Sequence, residues 1–317
     1  MKVVVLGGTG HMGTFLVPML VKANYEVVSV TRSKSKPYIE DDVWTQVKSV
    51  FMDRTKDVDF LKKIVAMKPD IIIDLINFRI EDTKAIVETF KDSELSHYLF
   101  CSSIWAHGRA EILPFNPDDL NKKPLDSYGK EKFKSELFLK KAYKEMGFPA
   151  TIIMPGQISG PGWNIISPLG NANPNVFQKI ANGEKIYLPN LGMETIHHVH
   201  GEDVAQMFLN AITHRKKSLG QSFHAVSGES ITLYGYAKFV YEYFNQEMQI
   251  DFLPWEEWCK TIDTEEDVTS TYYHIARSGY FDLSKERELL EYNPKHSNIE
   301  TIESAISSYL DRKIIEK

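Results

Sequence analysis

The stretch Val3-Val4-Val5-Leu6-Gly7-Gly8-Thr9-Gly10-His11-Met12-Gly13 decides the fold of this 317-residue chain. A β-branched apolar run leads into a glycine-rich turn, and the apolar periodicity of Phe15–Val21 predicts a helix after it. Glycines permit a tight turn and let backbone N–H groups approach a pyrophosphate, which the positive end of the helix attracts. Since the turn lies between a predicted strand and a predicted helix, it predicts a dinucleotide site. The expected binding residues are Gly7, Gly10, His11, Met12 and Gly13.

The same alternation of short apolar runs and helical segments continues through the first half of the chain. The predicted strands are Val3–Leu6, Glu26–Thr31, Val50–Met52, Ile71–Leu75, His97–Cys101 and Thr151–Met154. These runs show little polar alternation, which is typical of parallel strands buried on both faces. The pattern predicts an α/β fold: a Rossmann-like, doubly wound parallel sheet with a smaller C-terminal substrate lobe.

The composition changes after the last of these strands, because Pro155–Asn175 contains four Gly and four Pro and reads as long loops. We therefore expect residues 1–155 to form a dinucleotide-binding domain, rejoined by about 195–225, and residues 156–317 to form mainly a substrate-binding lobe. The elements expected in this half are helices near Val176–Asn182, Val204–Thr213, Tyr234–Phe244 and Thr301–Leu310 and a strand around Thr195–Val199.

Charge and cysteine content exclude several classes of protein. The chain has 37 Lys plus Arg against 43 Asp plus Glu, a net charge of −6, which argues against a general nucleic-acid partner. Two cysteines, Cys101 and Cys259, are too few for a disulfide scaffold and favour a reducing cytoplasm. No apolar run approaches the ~18 residues that span a bilayer, and the N-terminus lacks a small-residue cleavage site. The expected partner is a small-molecule substrate, not a membrane.

The end of the second predicted strand bears on the choice of dinucleotide. An acid there would bind the ribose 2′-hydroxyl, but the sequence reads Val30-Thr31-Arg32-Ser33. The guanidinium of Arg32 suits a 2′-phosphate, which favours NADP(H), with NAD(H) as the alternative. Arg32 lying flat on the adenine would not discriminate between them. Asp53 is placed to accept from the adenine amino group, or to cap a helix starting near Lys56.

Tyr128 and Lys132 share one face of a helix predicted from Tyr128 to about Met146, because they are four residues apart. A free phenol has a pKa of about 10, too high for a base at neutral pH. An ammonium at ~4 Å and an effective dielectric of about 20 would favour the phenolate by roughly 4 kcal/mol. Ser102 and Ser103 end another predicted strand and point to the same crevice at the sheet's carboxyl edge.

Together these motifs resemble those of the extended short-chain dehydrogenase/reductases, which include the NAD(P)-dependent epimerases and dehydratases. The matching segments, over nearly the whole chain, are Gly7–Gly13, Asp53, Ser102-Ser103 before Gly108, Tyr128-Gly129-Lys130-Glu131-Lys132, Gly160-Pro161-Gly162, His200 with Asp203-Val204-Ala205, and Phe281–Lys285. The resemblance implies hydride exchange between nicotinamide C4 and a carbinol carbon of a sugar or sugar-like substrate. It implies Tyr128 as the acid/base, Lys132 as the residue that binds the nicotinamide ribose and lowers the Tyr128 pKa, and Ser103 as the hydrogen-bond partner of the substrate oxygen.

Departures from the family's pattern leave the substrate open. Ile104-Trp105 follow Ser103 where 4,6-dehydratases carry an acid pair, so that route of dehydration is not expected. Glu194 and Ile196 stand near the place of an Arg that binds the pyrophosphate of sugar nucleotides. The residues expected to contact substrate are Ser102, His107, Gln157 and Arg277. A structural role for His107 is an equal alternative.

Three further alternatives remain at this point. An NADPH-dependent carbonyl reductase would use the same residues, and a dinucleotide-sensing or RNA-associated binding protein would use the fold without catalysis. The histidines at 197, 198 and 200 invite a metal site, but no cysteine lies near them, and no metal is expected. Trp255 and Trp258 are expected to pack inside the lobe, with substrate stacking as the alternative. In this family the helix corresponding to the one that starts at Tyr128 often pairs in a dimer, so a homodimer is expected, with packing within the monomer as the alternative.

Overall fold

The computed structural model describes residues 1–317, and its secondary structure is a central parallel sheet with helices on both faces. The strands are β1 Lys2–Leu6, β2 Glu26–Thr31, β3 Lys48–Phe51, β4 Ile71–Asp74, β5 His97–Cys101, β6 Ala150–Pro155, β7 Gln157–Ser159, β8 Ile186–Pro189, β9 Thr195–Ile196, β10 His198–His200, β11 Ser222–Ala225, β12 Ile231–Thr232 and β13 Ile250–Leu253. The α-helices are α1 Gly13–Lys22, α2 Phe60–Ala66, α3 Ile80–Phe90, α4 Ser127–Met146, α5 Asn175–Ala181, α6 Gly201–Thr213, α7 Arg215–Ser218, α8 Leu233–Tyr243, α9 Trp255–Trp258, α10 Glu265–Ile275, α11 Ser284–Leu290 and α12 Asn298–Asp311.

The central sheet has seven strands in the order β11-β6-β5-β4-β1-β2-β3, and every neighbouring pair is parallel. This confirms the α/β, doubly wound fold. The strand order reverses between β1 and β4, and in such sheets ligands bind in the crevice outside the carboxyl ends at that point. The turn after β1 and the residues after β4, β5 and β6 therefore face one crevice.

Each face of the sheet carries its own apolar core. On one face α1 and α6 bury Leu16, Val17 and Phe208 against the strands. On the other face α3 and α4 bury Ile86 and Leu139. Fully burying an aliphatic or aromatic side chain stabilises the fold by about 1.5–3 kcal/mol, so these two cores hold the strand ends in place.

The segment after β3 differs from the expected helix near Lys56. Residues 54–59 form turns, and α2 begins only at Phe60. The carboxylate of Asp53 accepts from the backbone N–H and the hydroxyl of Thr55 at 2.8 and 2.7 Å, while Asp57 accepts from the Asp53 N–H at 2.7 Å. These local hydrogen bonds favour a turn over a helix. Asp53 therefore caps a turn.

The C-terminal half contributes β11 to the central sheet and builds a separate aromatic core from α5, α8, α9 and α12. The indoles of Trp255 and Trp258 stack at 5.2 Å, and Trp258 is fully buried, which confirms their packing role. The strand expected at Thr195–Val199 is split into β9 and β10. No helix combines the length and apolar character needed to cross a bilayer.

Candidate active site

A cavity of about 610 Å³ lies at the carboxyl edge of the sheet, between the strand ends and the C-terminal half. Its sheet wall consists of the glycine turn, Arg32 and the residues that follow β4, β5 and β6. Its opposite wall, which we call the lobe wall, consists of Trp163–Ile166 and His274. Tyr128 and Lys132 enter from α4, so the fold brings the acid/base candidates to the crevice that the strand order predicts.

The glycine turn fits a pyrophosphate. Gly7 has a φ of +94°, and a Cβ on Gly13 would lie 2.3 Å from the Gly8 carbonyl oxygen, so both positions require glycine. The backbone N–H groups of His11, Met12 and Gly13 have no hydrogen-bond partner within the chain, and they lie at the start of α1. Unpaired N–H groups at a helix N-terminus bind phosphate oxygens. Gly7, Gly10, His11 and Met12 line the cavity, and Gly13 packs behind them.

The two other residues expected to bind the dinucleotide lie in different places. Arg32 is exposed and lines the cavity beside Tyr38. Asp53 does not line the cavity, and its hydrogen bonds with Thr55 hold the pKa of its carboxyl below its usual value. An adenine contact by Asp53 stays a prediction.

Tyr128 and Lys132 lie in the first two turns of α4, which Asp126 caps by accepting from the Gly129 N–H at 2.7 Å. Tyr128 keeps 37% of its surface exposed, whereas Lys132 is buried. The Lys132 Nζ donates to the carbonyl oxygens of Asn77 and Cys101, both at 2.6 Å, and lies 5.5 Å from the centre of the Tyr128 ring. The ammonium is therefore held by two strand-end carbonyls and not by the phenol.

The pKa of Tyr128 shifts in the direction opposite to the expected one. Loss of hydration around the phenol raises the pKa of Tyr128, and the nearby Cys101 raises it further, while Ser103 lowers it. Burial likewise lowers the pKa of Lys132. Loss of hydration disfavours both the Tyr128 phenolate and the Lys132 ammonium, and the ammonium donates its hydrogen bonds to carbonyl oxygens. In the protein alone Tyr128 is thus a neutral phenol.

Ser102 and Ser103 both line the cavity after β5. The Ser103 Oγ accepts from the backbone N–H of Trp105 at 3.2 Å, as the cap of a short 3-10 turn over Ile104–Ala106. The Ser102 hydroxyl donates to a carboxylate oxygen of Glu136 on α4. Sequence reasoning placed both serines at the crevice but gave no indication of the Glu136 contact.

The lobe wall was not predicted. Trp163 stacks on His11 with ring centres 4.3 Å apart and planes at 9°, and Tyr38 lies 5.2 Å from Trp163. His274 is buried and bonds the Ser270 carbonyl through Nδ1 at 2.8 Å. The Gly160-Pro161-Gly162 segment directly before Trp163 was a usable signal, whereas nothing in the local sequence marks His274.

Among the expected substrate contacts, Gln157 lines the cavity, and its Oε1 accepts from the His197 N–H at 2.9 Å. His107 does not line it: its Nε2 is 2.8 Å from the Nε2 of His224, and it borders a second, separate cavity. The buried position corrects the expected substrate contact for His107 and agrees with its structural alternative.

Arg277 likewise lies outside the cavity lining. It is 4% exposed, pairs with the Asp126 carboxylate, and places its guanidinium carbon 4.0 Å from the Trp105 ring centre. Its place outside the cavity lining argues against the expected substrate contact, although its buried Nε has no hydrogen-bond partner in the chain. Arg277 instead joins the C-terminal half to the start of α4.

The histidines at 197, 198 and 200 each contact a different part of the chain. The His198 Nδ1 is 2.7 Å from the Ser159 hydroxyl, and burial lowers the pKa of His198 to about 3. The His197 ring meets Phe281 edge to face at 4.6 Å. The Nδ1 of His200 accepts from the Glu202 N–H at 3.2 Å, as the cap of α6. Each ring therefore has a local structural role.

Comparisons with known proteins agree with this geometry. The profile of the NAD dependent epimerase/dehydratase family matches residues 3–225. The chain is 30% identical over 251 residues to the chloroplast stem-loop binding protein of 41 kDa b of Arabidopsis thaliana, a match over 75% of this chain and 61% of that protein. It is 27% identical over 158 residues to the 2′-dehydrokanamycin reductase of Streptomyces kanamyceticus, a match over 50% of this chain and 43% of that protein. The chain thus spans less than two thirds of the length of either relative.

Among solved structures, the UDP-glucuronic acid 4-epimerase of Bacillus cereus, in complex with UDP-glucuronic acid and NAD, superposes with a TM-score of 0.74 at 17% identity. The superposition covers 98% of this chain and 100% of that one, and this likeness shows the fold. Three observations agree: the family match over residues 3–225, the parallel sheet, and the glycine turn with its unpaired N–H groups. This chain belongs to the NAD-dependent epimerase/dehydratase family of enzymes, which use a nicotinamide dinucleotide.

Proposed function

We propose that this enzyme moves hydride between NADP(H) and a carbinol carbon of a sugar or sugar-like substrate, with Tyr128 as the acid/base group. The observation that carries the proposal is that Tyr128, Ser103 and Lys132 border the same cavity as the unpaired N–H groups of the glycine turn. The bound dinucleotide supplies or takes up the hydride at its nicotinamide. The protein side chains orient the substrate and move the matching proton.

Each side chain has a distinct part in that proton movement. In the reducing direction, Tyr128 donates its phenolic proton to the substrate oxygen as the carbinol forms, and its raised pKa keeps the phenol protonated before that step. Ser103 accepts from Trp105, and its own proton, which contacts Tyr128 in the protein alone, would turn to the same substrate oxygen. Lys132 would turn part of its hydrogen bonding from the strand-end carbonyls to the nicotinamide ribose.

The cavity favours a polyhydroxylated substrate without a nucleotide. Ser102, Ser103 and Gln157 offer polar groups, while Trp105 and Trp163 offer flat apolar faces of the kind that suit sugar rings. Arg277 pairs with Asp126 and does not line the cavity, so it offers no cation there for a pyrophosphate. The similarity to a reductase of 2′-dehydrokanamycin supports a carbonyl reductase as the alternative within the same chemistry.

The decisive experiment distinguishes a reductase from an epimerase. Purified protein is analysed by mass spectrometry for bound dinucleotide and then screened with sugars, keto-sugars and sugar nucleotides. Net loss of the near-ultraviolet absorbance of reduced nicotinamide identifies a reductase. Conversion of a sugar to its isomer without net loss identifies an epimerase. Absence of both net cofactor turnover and isomer formation with every substrate in the screen contradicts the proposal.

The preference for NADP(H) rests on Arg32 at the end of β2, where it is exposed and borders the cavity. A charge-assisted hydrogen bond contributes about 1.5–3 kcal/mol, so Arg32→Ala should weaken NADP⁺ binding about 10- to 100-fold and leave NAD⁺ nearly unchanged. Lys34→Ala, an exposed cation on the same segment, is the matched control. Equal weakening of both dinucleotides would mean that Arg32 lies over the adenine.

A second candidate function is RNA association, which the similarity to the chloroplast stem-loop binding protein favours. The net charge of −6 opposes it. Fluorescence polarisation with a labelled RNA stem-loop over a salt series tests it. Salt-dependent binding that survives in Tyr128→Phe, with no turnover of any sugar, would favour this candidate.

A homodimer through α4 is also proposed, because Leu137, Tyr143 and Met146 are exposed on that helix. Light scattering after size exclusion should give about twice the mass of 36.4 kDa. Leu137→Glu should return the monomer mass. A monomer in the unaltered protein contradicts this assembly.

A further inference from the structure

A buried chain of polar groups runs behind the cavity from Ser102 to Lys122. Ser102 lies at the end of β5 and donates to Glu136, whose second carboxylate oxygen is 2.6 Å from the Lys122 Nζ. The three residues are 2%, 1% and 6% exposed. Only Ser102 reaches the cavity, so the other two act on a substrate through it.

The hydrogen-bond donors in this chain can be assigned one by one. An ammonium has only donors, and Lys122 uses its donors on Glu136, on the Pro117 carbonyl oxygen at 2.9 Å and on the Met154 sulfur at 3.6 Å. A carboxylate has only acceptors, so Glu136 accepts from both of its neighbours. Ser102 has one proton, and that proton is committed to Glu136. The Ser102 oxygen therefore presents only lone pairs to the cavity.

The adjacent serine has the opposite polarity. Ser103 Oγ accepts from the Trp105 N–H at 3.2 Å, and its hydrogen bond with Tyr128 lowers the pKa of that phenol, so its proton is directed to a group that lines the same cavity. Two neighbouring hydroxyls on one cavity wall thus differ: Ser103 donates to a ligand and Ser102 accepts from one. This difference arises because Glu136 and Trp105 contact different serines.

We propose that Glu136 is a positioning residue that holds Ser102 as a hydrogen-bond acceptor, and that Ser102 thereby selects substrates carrying a free hydroxyl group near the reacting carbon. The inference rests on the proposed function and adds the substrate class, an α-hydroxy ketone or the corresponding diol. A ligand without that hydroxyl would leave the buried Ser102 oxygen desolvated and unpaired. Such a mismatch lowers affinity about 10- to 100-fold.

Three ring ketones of similar shape test this. 2-Hydroxycyclohexanone carries a hydroxyl that donates and accepts, 2-methoxycyclohexanone carries an oxygen that only accepts, and cyclohexanone carries neither. Binding of each to the protein saturated with NADP⁺, or with NAD⁺ if that binds more tightly, is measured by calorimetry. Oxidation of the reduced cofactor with each ketone is followed by near-ultraviolet absorbance. We expect the wild-type protein to prefer the hydroxy ketone over the methoxy ketone about 10- to 100-fold.

Variants of Ser102 and Glu136 should change this preference in different ways. Ser102→Ala should bring the ratio close to one, and Ser102→Thr, which keeps the hydroxyl, should retain it. In Glu136→Gln the donors of Lys122 require the amide oxygen, so the amide NH2 faces Ser102 and donates to it. The Ser102 proton then turns to the cavity, and the preference should shift toward the methoxy ketone. A residue with a merely structural role would not shift the preference in this way.

Ser135→Ala is the matched control, because Ser135 is buried next to Glu136 on α4. Its hydroxyl accepts from Thr83 at 2.9 Å, and Ser135 does not line the cavity. This variant should leave the preference unchanged. Circular dichroism and dinucleotide affinity establish that each variant folds, and Ser102→Ala compared with Ser102→Thr carries the test if Glu136→Gln does not fold.

The outcomes separate this inference from the proposed function. Binding that prefers the hydroxy ketone without any cofactor oxidation contradicts the proposed hydride transfer and supports the role of Ser102. Cofactor oxidation with equal use of all three ketones supports the proposed function and overturns the role of Ser102. A wild-type protein that binds none of the ketones, or a Ser102→Ala variant that keeps the wild-type preference, also overturns it.

Discussion

The two walls of the cavity are built in different ways. The sheet wall consists of residues from short consecutive segments at strand ends, such as Gly7–Gly13 and Cys101–Ser103. The lobe wall consists of side chains from segments that are far apart in the sequence, Trp163–Ile166 and His274. The sheet wall therefore offers mainly hydrogen-bonding groups to a ligand, and the lobe wall mainly ring and aliphatic faces.

The two walls differ in the contacts that they offer: hydrogen-bonding groups lie on the sheet wall, and apolar faces lie mainly on the lobe wall. The sheet wall offers unpaired backbone N–H groups as donors and the hydroxyls of Ser102 and Ser103, of which Ser102 accepts and Ser103 donates. On the lobe wall the contacts are ring faces, as where Trp163 stacks on His11. Substitutions on the sheet wall should therefore change the rate of the reaction. Substitutions where the two walls touch should change the free energy of unfolding and the affinity for the dinucleotide.

The largest effect is expected at Tyr128. Tyr128→Phe removes the only phenolic proton at the cavity's serines, and loss of general acid/base catalysis should lower kcat about 10²- to 10⁴-fold. Dinucleotide affinity should stay within about twofold, because the ring remains. Stopped assays with the substrate from the screen give kcat, and Tyr143→Phe on the exposed side of α4 is the control. Retention of kcat would remove the acid/base role.

The next effect is the pH dependence of Tyr128. Oxidation of a carbinol needs the phenolate, and below the pKa its fraction rises about tenfold per pH unit. Because burial raises the pKa of Tyr128, kcat for oxidation should climb throughout about pH 7 to about pH 10 without a plateau. Reduction needs the phenol and should stay level over the same range. Profiles with deuterated substrate, which isolate the chemical step, measure both.

A plateau in kcat for oxidation below about pH 8 would mean that Lys132 lowers the pKa of Tyr128 when the dinucleotide is bound. That result would restore the expectation from the spacing of the two residues. Tyr128→Phe should remove the pH-dependent limb in either case.

The third effect concerns the link between the two halves. Arg277→Met leaves Asp126, whose side chain is 11% exposed, without its guanidinium partner. A lost hydrogen bond to a charged group lowers the free energy of unfolding by about 2–3 kcal/mol. Urea unfolding measures the change, and Arg287→Met, at an exposed position without an ion pair, should change it by less than about 0.5 kcal/mol. Equal small changes in both variants would mean that the Arg277 contact does not join the halves.

The smallest effect is expected where the walls touch. His11→Ala removes the ring that stacks on Trp163, and an aromatic pair contributes about 0.5–1.5 kcal/mol. Dinucleotide dissociation constants should rise about 2- to 10-fold, measured by calorimetry. His11→Phe keeps a flat ring and should restore most of the affinity. Equal weakening in both variants would assign the effect to the imidazole nitrogens.

The sequence by itself determined the parallel sheet, the glycine turn and the placing of Tyr128, Lys132 and Ser103 at one crevice. These features follow from local rules: β-branched runs form strands, glycine alone accepts the φ of Gly7, and residues four apart share a helix face. The helix expected near Lys56 was wrong because side-chain hydrogen bonds of Asp53 and Asp57 stabilise turns there.

Only the tertiary structure decided the pKa direction of Tyr128, the partner of Lys132, the role of Arg277 and the identity of the lobe wall. Arg277 and Asp126 are 151 residues apart, and the Asn77 and Cys101 carbonyls reach Lys132 from different strand ends. Hydration and hydrogen-bond partners depend on which distant groups packing brings together, and sequence spacing carries no information about that. Composition and motif therefore located the chemistry, while packing set the charge state and polarity with which it operates.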